Sequence, residues 1–178
     1  ELWPPRRRQW DPQTRMPAFR VSMSAPGLIE NLVLSRIDRP EPQAGEAVID
    51  VRAAGLNFRD VMAATGLLPA DAEDEPAWQR LGFECAGIIS TVGEGVDSRW
   101  IGRRVVAVAP GCLASHVAVS IDKTFPIPRR LSFASAAAVP VAFATAHYAL
   151  VTLARLKRGE RVLIHAAAGG VGLAAVGI

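Results

Sequence analysis

The sequence predicts an α/β protein: a small β-barrel, then a helical stretch, then the opening of a doubly wound parallel sheet. Three observations predict it. Between Phe19 and Ile121, short apolar runs are cut by turns at Gly93, Gly95, Gly102 and Gly111, the signature of a small barrel. After Pro126 and Pro128 the apolar pattern turns helical. Residues 161–172, RVLIHAAAGGVG, read as a short buried strand and a turn of small residues, before an apolar helix over 173–178. Strand, small-residue turn and helix together open a dinucleotide-binding βαβ unit. Small residues let backbone N–H groups approach a pyrophosphate, and the helix presents the positive end of its dipole to it.

Residues 1–17 are rich in Pro and Arg without a hydrophobic period, so they predict a linker. The run Arg6, Arg7, Arg8 reads as solvated, and no continuous basic face follows it to suggest a nucleic-acid partner. Residues 19–24 and 32–37 predict strands. Residues 47–56 predict a third, with Ile49, Val51 and Ala53 on one face and Asp50 and Arg52 on the other. Residues 57–67 change period and predict a short helix, and the acidic stretch 70–77 predicts a surface loop. Strands follow at 84–92, 104–109 and 115–121, with His116 on the barrel surface. Ser132 predicts an N-cap for a helix from Phe133. Pro140 breaks or kinks that helix, and 141–156 resumes it as buried helix up to Gly159. The apolar stretch is interrupted by Pro140, His147 and Arg155, which argues against a membrane span.

At 178 residues, with half of them hydrophobic and a net charge of +3, there is room for one domain and part of another. Cys85 and Cys112 show no C-x-x-C spacing, so no disulfide framework is expected, and the cytoplasm fits best. A complete dinucleotide fold needs about five more strands, and its ribose-reading residue lies about 20 residues past the glycines. Glu1 is not an initiator Met. The chain is therefore expected to be a piece of a longer protein, with a linker at 1–17, a barrel at 18–140, which the resemblance described below makes the substrate-binding lobe, and the start of a cofactor domain at 141–178.

Four motifs in order carry a family resemblance: AGLNFRDV at 54–61, LGFECAG at 81–87, VPVAFATAHYAL at 139–150 and HAAAGGVG at 165–172. Over 19–178 the chain resembles the medium-chain dehydrogenase/reductase superfamily, and most of all the enoyl reductase domain of type I polyketide synthases. The resemblance implies a GroES-like barrel lobe beside a Rossmann lobe holding NADPH. It also implies reduction of an α,β-unsaturated thioester on an acyl carrier protein, among neighbouring synthase domains. Hydride would go to the β-carbon, and a proton to the α-carbon. A stand-alone NADPH:quinone oxidoreductase and a non-catalytic structural module are the alternatives.

Zinc enzymes share this superfamily, but Asn57 and Phe83 stand at the would-be ligand places and Glu84 cannot hold zinc alone. No metal site is expected. Asn57 suits an N-cap, and the resemblance places it by the nicotinamide or substrate. Arg59 and Asp60 are neighbours that cannot face each other on a helix, so each is expected to find its own partner. Phe58 and Val61 read as core residues, with Val61 or Leu68 as possible lining of an acyl channel. Thr145 reads as a helix hydroxyl bonding back to a carbonyl, or, by resemblance, as a cofactor contact. His147 and Tyr148 read first as packed core and second as proton donors. The catalytic candidates are thus Asn57, Thr145, His147 and Tyr148. The cofactor candidates are Asn57, Thr145, Ala168, Gly169, Gly170, Val171 and Gly172, the glycine loop acting mainly through backbone N–H groups.

Overall fold

The computed structural model describes residues 17–68 and 77–178. Nearly all of the expected linker and acidic loop lie outside them. Strands β1 (Phe19–Met23) and β2 (Leu32–Arg36) pair with each other as an antiparallel hairpin. Strands β3 (Glu46–Gly55), β4 (Glu84–Val92), β5 (Arg104–Val108), β6 (His116–Ser120) and β7 (Thr124–Pro126) form a five-stranded antiparallel sheet in the order β6-β3-β4-β5-β7. Its two edge strands, β6 and β7, are consecutive in sequence with only residues 121–123 between them. Three residues span about 10 Å at most, so the sheet has to curl until its edges approach, which makes it a barrel. The hairpin docks beside β6. Val21 N–H donates to Leu113 O at 2.7 Å, and Ser115 N–H to Phe19 O at 2.8 Å. The sequence gives no sign of β7, because three residues are too few to show alternation.

Alternate residues of β4 serve two cores, as the period of a strand requires. Cys85 and Ile89 join Ile49, Val105, Ala107, Cys112, Val117 and Val119 inside the barrel. Ala86 faces the other way, onto Ala136 and Ala137 of helix α2 (Phe133–Ala137). Bulges between Val48 and Ile49 and between Val51 and Ala53 interrupt the regular alternation expected of β3. Both cysteines are buried and free. Contact with Cys112 and burial push the Cys85 thiol far above its usual range, so it stays protonated and unreactive.

Helix α1 spans Phe58–Ala64. Ser132 caps α2 as expected, its Oγ accepting the Ser135 N–H at 3.0 Å. The Arg104 guanidinium fixes the approach to α2, donating to Arg129 O at 2.9 Å and lying 4.5 Å from the Phe133 ring centroid. Pro140 opens a new helix, α3 (Pro140–His147), rather than kinking an old one. It sits where its missing N–H costs nothing. Helix α4 spans Gly170–Gly177 and lies against α3. None of the described helices is long and apolar enough to cross a membrane.

Four expectations are corrected. Residues 161–165 pair with no strand among the described residues, and Leu163 is 82% exposed. A parallel strand takes its hydrogen bonds from neighbouring strands, and the described residues supply none for it. Residues 141–156 are not one buried helix. Past His147 the backbone widens into a π-helical segment, Tyr148–Leu153, closed by Ala154 N–H to Ala149 O at 2.9 Å. This whole segment is apolar but largely exposed, because the period predicts amphipathicity and not what covers the face. Phe58 and Val61 are exposed too, not core. His116 is buried rather than on the surface, its Nδ1 2.8 Å from Ser115 Oγ and its Nε2 3.4 Å from Asp50 Oδ1. It is the first residue of β6, and its ring is taken up by Ser115 beside it and by Asp50 on the neighbouring β3 rather than by solvent.

Candidate active site

Strand β3 ends at Gly55, and Asn57 takes the N-cap position of α1. Asp60, one turn into the helix, reaches back so that its Oδ2 accepts the Asn57 N–H at 2.9 Å. Its Oδ1 accepts the Gly82 N–H at 2.7 Å. Asp60 is 5% exposed, so both bonds are made away from water and hold the Asn57 turn against the segment leading into β4. Arg59 points elsewhere and lies 4.5 Å from the Phe83 ring centroid, a cation–π contact. The two neighbours have separate partners, as helix geometry requires.

Glu84, the first residue of β4, is 3% exposed and stands opposite Gly55 in the sheet. Its Oε1 accepts from Asn57 Nδ2 at 3.1 Å, and its Oε2 accepts the Val141 N–H at 2.8 Å. A side chain at Gly55 would run into the Glu84 carboxylate and Ala137 O; glycine is needed there to leave room. Sequence reasoning treats Glu84 only as an inadequate zinc ligand. The missed signal is a lone acid at the start of an otherwise apolar strand, two residues past a glycine.

Among the described residues, no three His, Cys, Asp or Glu side chains are grouped to hold a metal ion. Both oxygens of Glu84 already accept protein N–H groups. Elemental analysis of the purified protein is expected to find less than about 0.1 zinc per chain, since a catalytic zinc requires three protein ligands. One zinc per chain would contradict this reading.

The glycine turn stands at the other end of the α3–α4 pair. Ala166 adopts a left-handed φ of 51°, and its carbonyl accepts the Gly169 N–H at 2.9 Å. Gly169 is the N-cap of α4, and Gly170, Val171 and Gly172 form the first turn. The N–H groups of a first turn have no partner within the helix. A Cβ built at Gly170 meets nothing within 4 Å, whereas one at Gly172 would strike Ala166 O and Ala167 Cα. The turn therefore offers open space in front of oriented amides at Gly170 and is closed by packing at Gly172. That donor set fits the pyrophosphate of a dinucleotide. Helix α4 starts at Gly170, three residues earlier than expected.

Of the other candidates, Asn57 is half-buried at the barrel end of this arrangement. Thr145 and His147 are exposed on α3, and Tyr148, just past it, is 57% exposed. The packed roles expected of His147 and Tyr148 are not seen. α3 links the two halves of the arrangement: its N-terminus bonds to Glu84, and its length lies against α4.

Residues 43–129 match the alcohol dehydrogenase GroES-like domain. The chain is 40% identical over 161 residues to a phenolphthiocerol/phthiocerol polyketide synthase of Mycobacterium tuberculosis, covering 90% of this chain and 7% of that protein. Among solved structures, the CurK enoyl reductase is 43% identical with a TM-score of 0.85, covering 89% of this chain and 50% of that one. The chain belongs to the medium-chain dehydrogenase/reductase superfamily, in its polyketide synthase enoyl reductase branch. Within that superfamily a second neighbour is the Escherichia coli quinone oxidoreductase complexed with NADPH. It is 36% identical with a TM-score of 0.80, covering 89% of this chain and 48% of that one. The chain thus spans about half the length of these structural relatives and a small fraction of the synthase.

Proposed function

We propose that these residues form the barrel lobe and pyrophosphate turn of an NADPH-dependent enoyl reductase. Its substrate is an α,β-unsaturated thioester carried on an acyl carrier protein, within a cytoplasmic polyketide synthase. The observation that carries the reading is the Asn57–Glu84 pair at the end of β3, where the superfamily's zinc enzymes need a metal-ligand set. Identity of 40% or more to a polyketide synthase and an enoyl reductase supports it. We assign residues 18–140 to substrate binding and 141–178 to the cofactor domain.

A bound nicotinamide supplies the hydride. First-turn amides at Gly170, Val171 and Gly172, with Ala168 and Gly169 shaping the approach, would hold the pyrophosphate. Asn57, on the barrel side, and Thr145, on α3, would contact the nicotinamide and substrate. Exposed Val61 and Phe58 offer apolar surface for the acyl chain. Charge that develops on the thioester oxygen has to be met by hydrogen bonds or a proton donor. His147 and Tyr148 carry suitable groups on accessible side chains.

The quinone oxidoreductase neighbour keeps one rival reading in play. The test is a side-by-side measurement of kcat/KM with NADPH, using the full-length protein with a crotonyl pantetheine thioester and with 1,4-benzoquinone. The proposal expects the thioester to be favoured by about 100-fold or more, the scale at which pocket shape discriminates between substrates. Preference for the quinone would replace this reading with the rival.

A further inference from the structure

We propose that Glu84 is the positioning residue of this site: one buried carboxylate sets the Asn57 amide and the N-terminus of α3 relative to each other. The inference deepens the reading above and rests on it for the identity of the reaction, but not for the geometry.

Three observations carry it. First, the carboxylate divides its oxygens between two elements far apart in sequence, Asn57 Nδ2 on Oε1 and Val141 N–H on Oε2. Both partners are donors, and a carboxylate is an acceptor at both oxygens. The amide of Asn57 is therefore held with its nitrogen toward Glu84, and a reversed amide would set oxygen against oxygen. Second, the room for this carboxylate is built in. Gly55, directly opposite, leaves the space that Cγ and Oε1 occupy near Ala137 O. Third, Pro140 has no N–H, so Val141 supplies the first backbone donor of α3. A negative charge there also complements the helix dipole. α3 carries Thr145 and His147 and lies against α4, whose first turn is the glycine loop. Glu84 is thus the hydrogen-bonded strut between the barrel side of the site and the helix that supports the cofactor side.

Glu84→Gln separates positioning from mere support. Glutamine keeps the volume and one acceptor oxygen but turns the other acceptor into a donor. Val141 N–H cannot reverse and will hold the remaining oxygen. Asn57 can reverse, by turning its amide so that oxygen faces the new Nε2. The fold survives while the Asn57 amide is inverted.

The test uses the full-length protein, with 15N-asparagine labelling, the Asn57 side-chain signal being assigned by its loss in Asn57→Ser. The proposal expects three results for Glu84→Gln: a large change in the Asn57 amide signal, an apparent melting temperature within about 3 °C of wild type, and kcat lower by about 10- to 100-fold, the cost of a small misplacement, with the KM for the thioester changed far less. If that variant does not fold, Glu84→Asp is the second. It keeps the charge but is too short to reach both donors. It is expected to speed hydrogen exchange at either Val141 or the Asn57 turn, and to lower kcat similarly. An unchanged Asn57 signal with wild-type turnover in a folded Glu84→Gln protein would overturn the proposal. So would loss of stability with kcat intact in Glu84→Asp. If wild type reduces no enoyl thioester, the reaction assigned above fails, while the Asn57 signal and the hydrogen exchange still decide the role of Glu84.

Discussion

Replacing Gly170 by valine is expected to raise the Kd for NADPH by about 100-fold, a loss of about 2.7 kcal/mol, while leaving the stability of the protein within about 0.5 kcal/mol of wild type. The separation of these effects follows from the turn. Nothing in the protein lies within 4 Å of a Cβ at Gly170, so the new side chain disturbs no packing. It does fill the space in front of the first-turn amides of α4, where a pyrophosphate has to come within hydrogen-bonding distance. Gly172 cannot serve the same purpose. A side chain there strikes Ala166 O and Ala167 Cα, so Gly172→Val would damage the turn itself, and weakened binding would say nothing about contact. Fluorescence titration of NADPH into the full-length Gly170→Val protein, beside a thermal melt, checks the prediction. Unchanged affinity would make the glycine run a packing turn.

Asp60→Ala is expected to cost about 3 kcal/mol of stability or more. The carboxylate is 5% exposed and accepts two backbone N–H groups, from Asn57 and Gly82. Hydrogen bonds to a charged group are worth about 1.5–3 kcal/mol each, and their loss leaves two N–H groups without acceptors. Asp60→Asn keeps acceptor capacity for one of them and should lose roughly half as much. Denaturant unfolding followed by tryptophan fluorescence gives both values. A cost below about 1 kcal/mol for Asp60→Ala would mean that water replaces the carboxylate at little expense, against the burial seen here.

How much of the fold and site is legible in the sequence follows from the range of each signal. The short strands of the barrel and the Ser132 cap can be read because alternation and capping are local. So can the small-residue turn at 166–172, in which Gly172 leaves no room for a side chain. The same local logic misreads residues whose surroundings are set by distant segments. His116 alternates toward solvent along β6, yet it is buried with its ring against Ser115 and against Asp50 of β3. Phe58, Val61 and Tyr148 are apolar or aromatic and read as core, yet no described element covers them. Residues 161–165 have a strand's composition and, among the described residues, no strand beside them. Asn57 is found through the motif around it. Glu84 is not found as its partner, because the two are 27 residues apart and only the pairing of β3 with β4 brings them together.

The proposed reaction is delivery of hydride to the β-carbon of a carrier-bound enoyl thioester. Tracing deuterium tests it. The full-length protein is given a crotonyl pantetheine thioester and NADPH carrying deuterium at C4 of the nicotinamide. A saturated thioester with one deuterium at the β-carbon and a solvent proton at the α-carbon is expected. An unreduced thioester, with the labelled NADPH consumed only when a quinone is added, would contradict it.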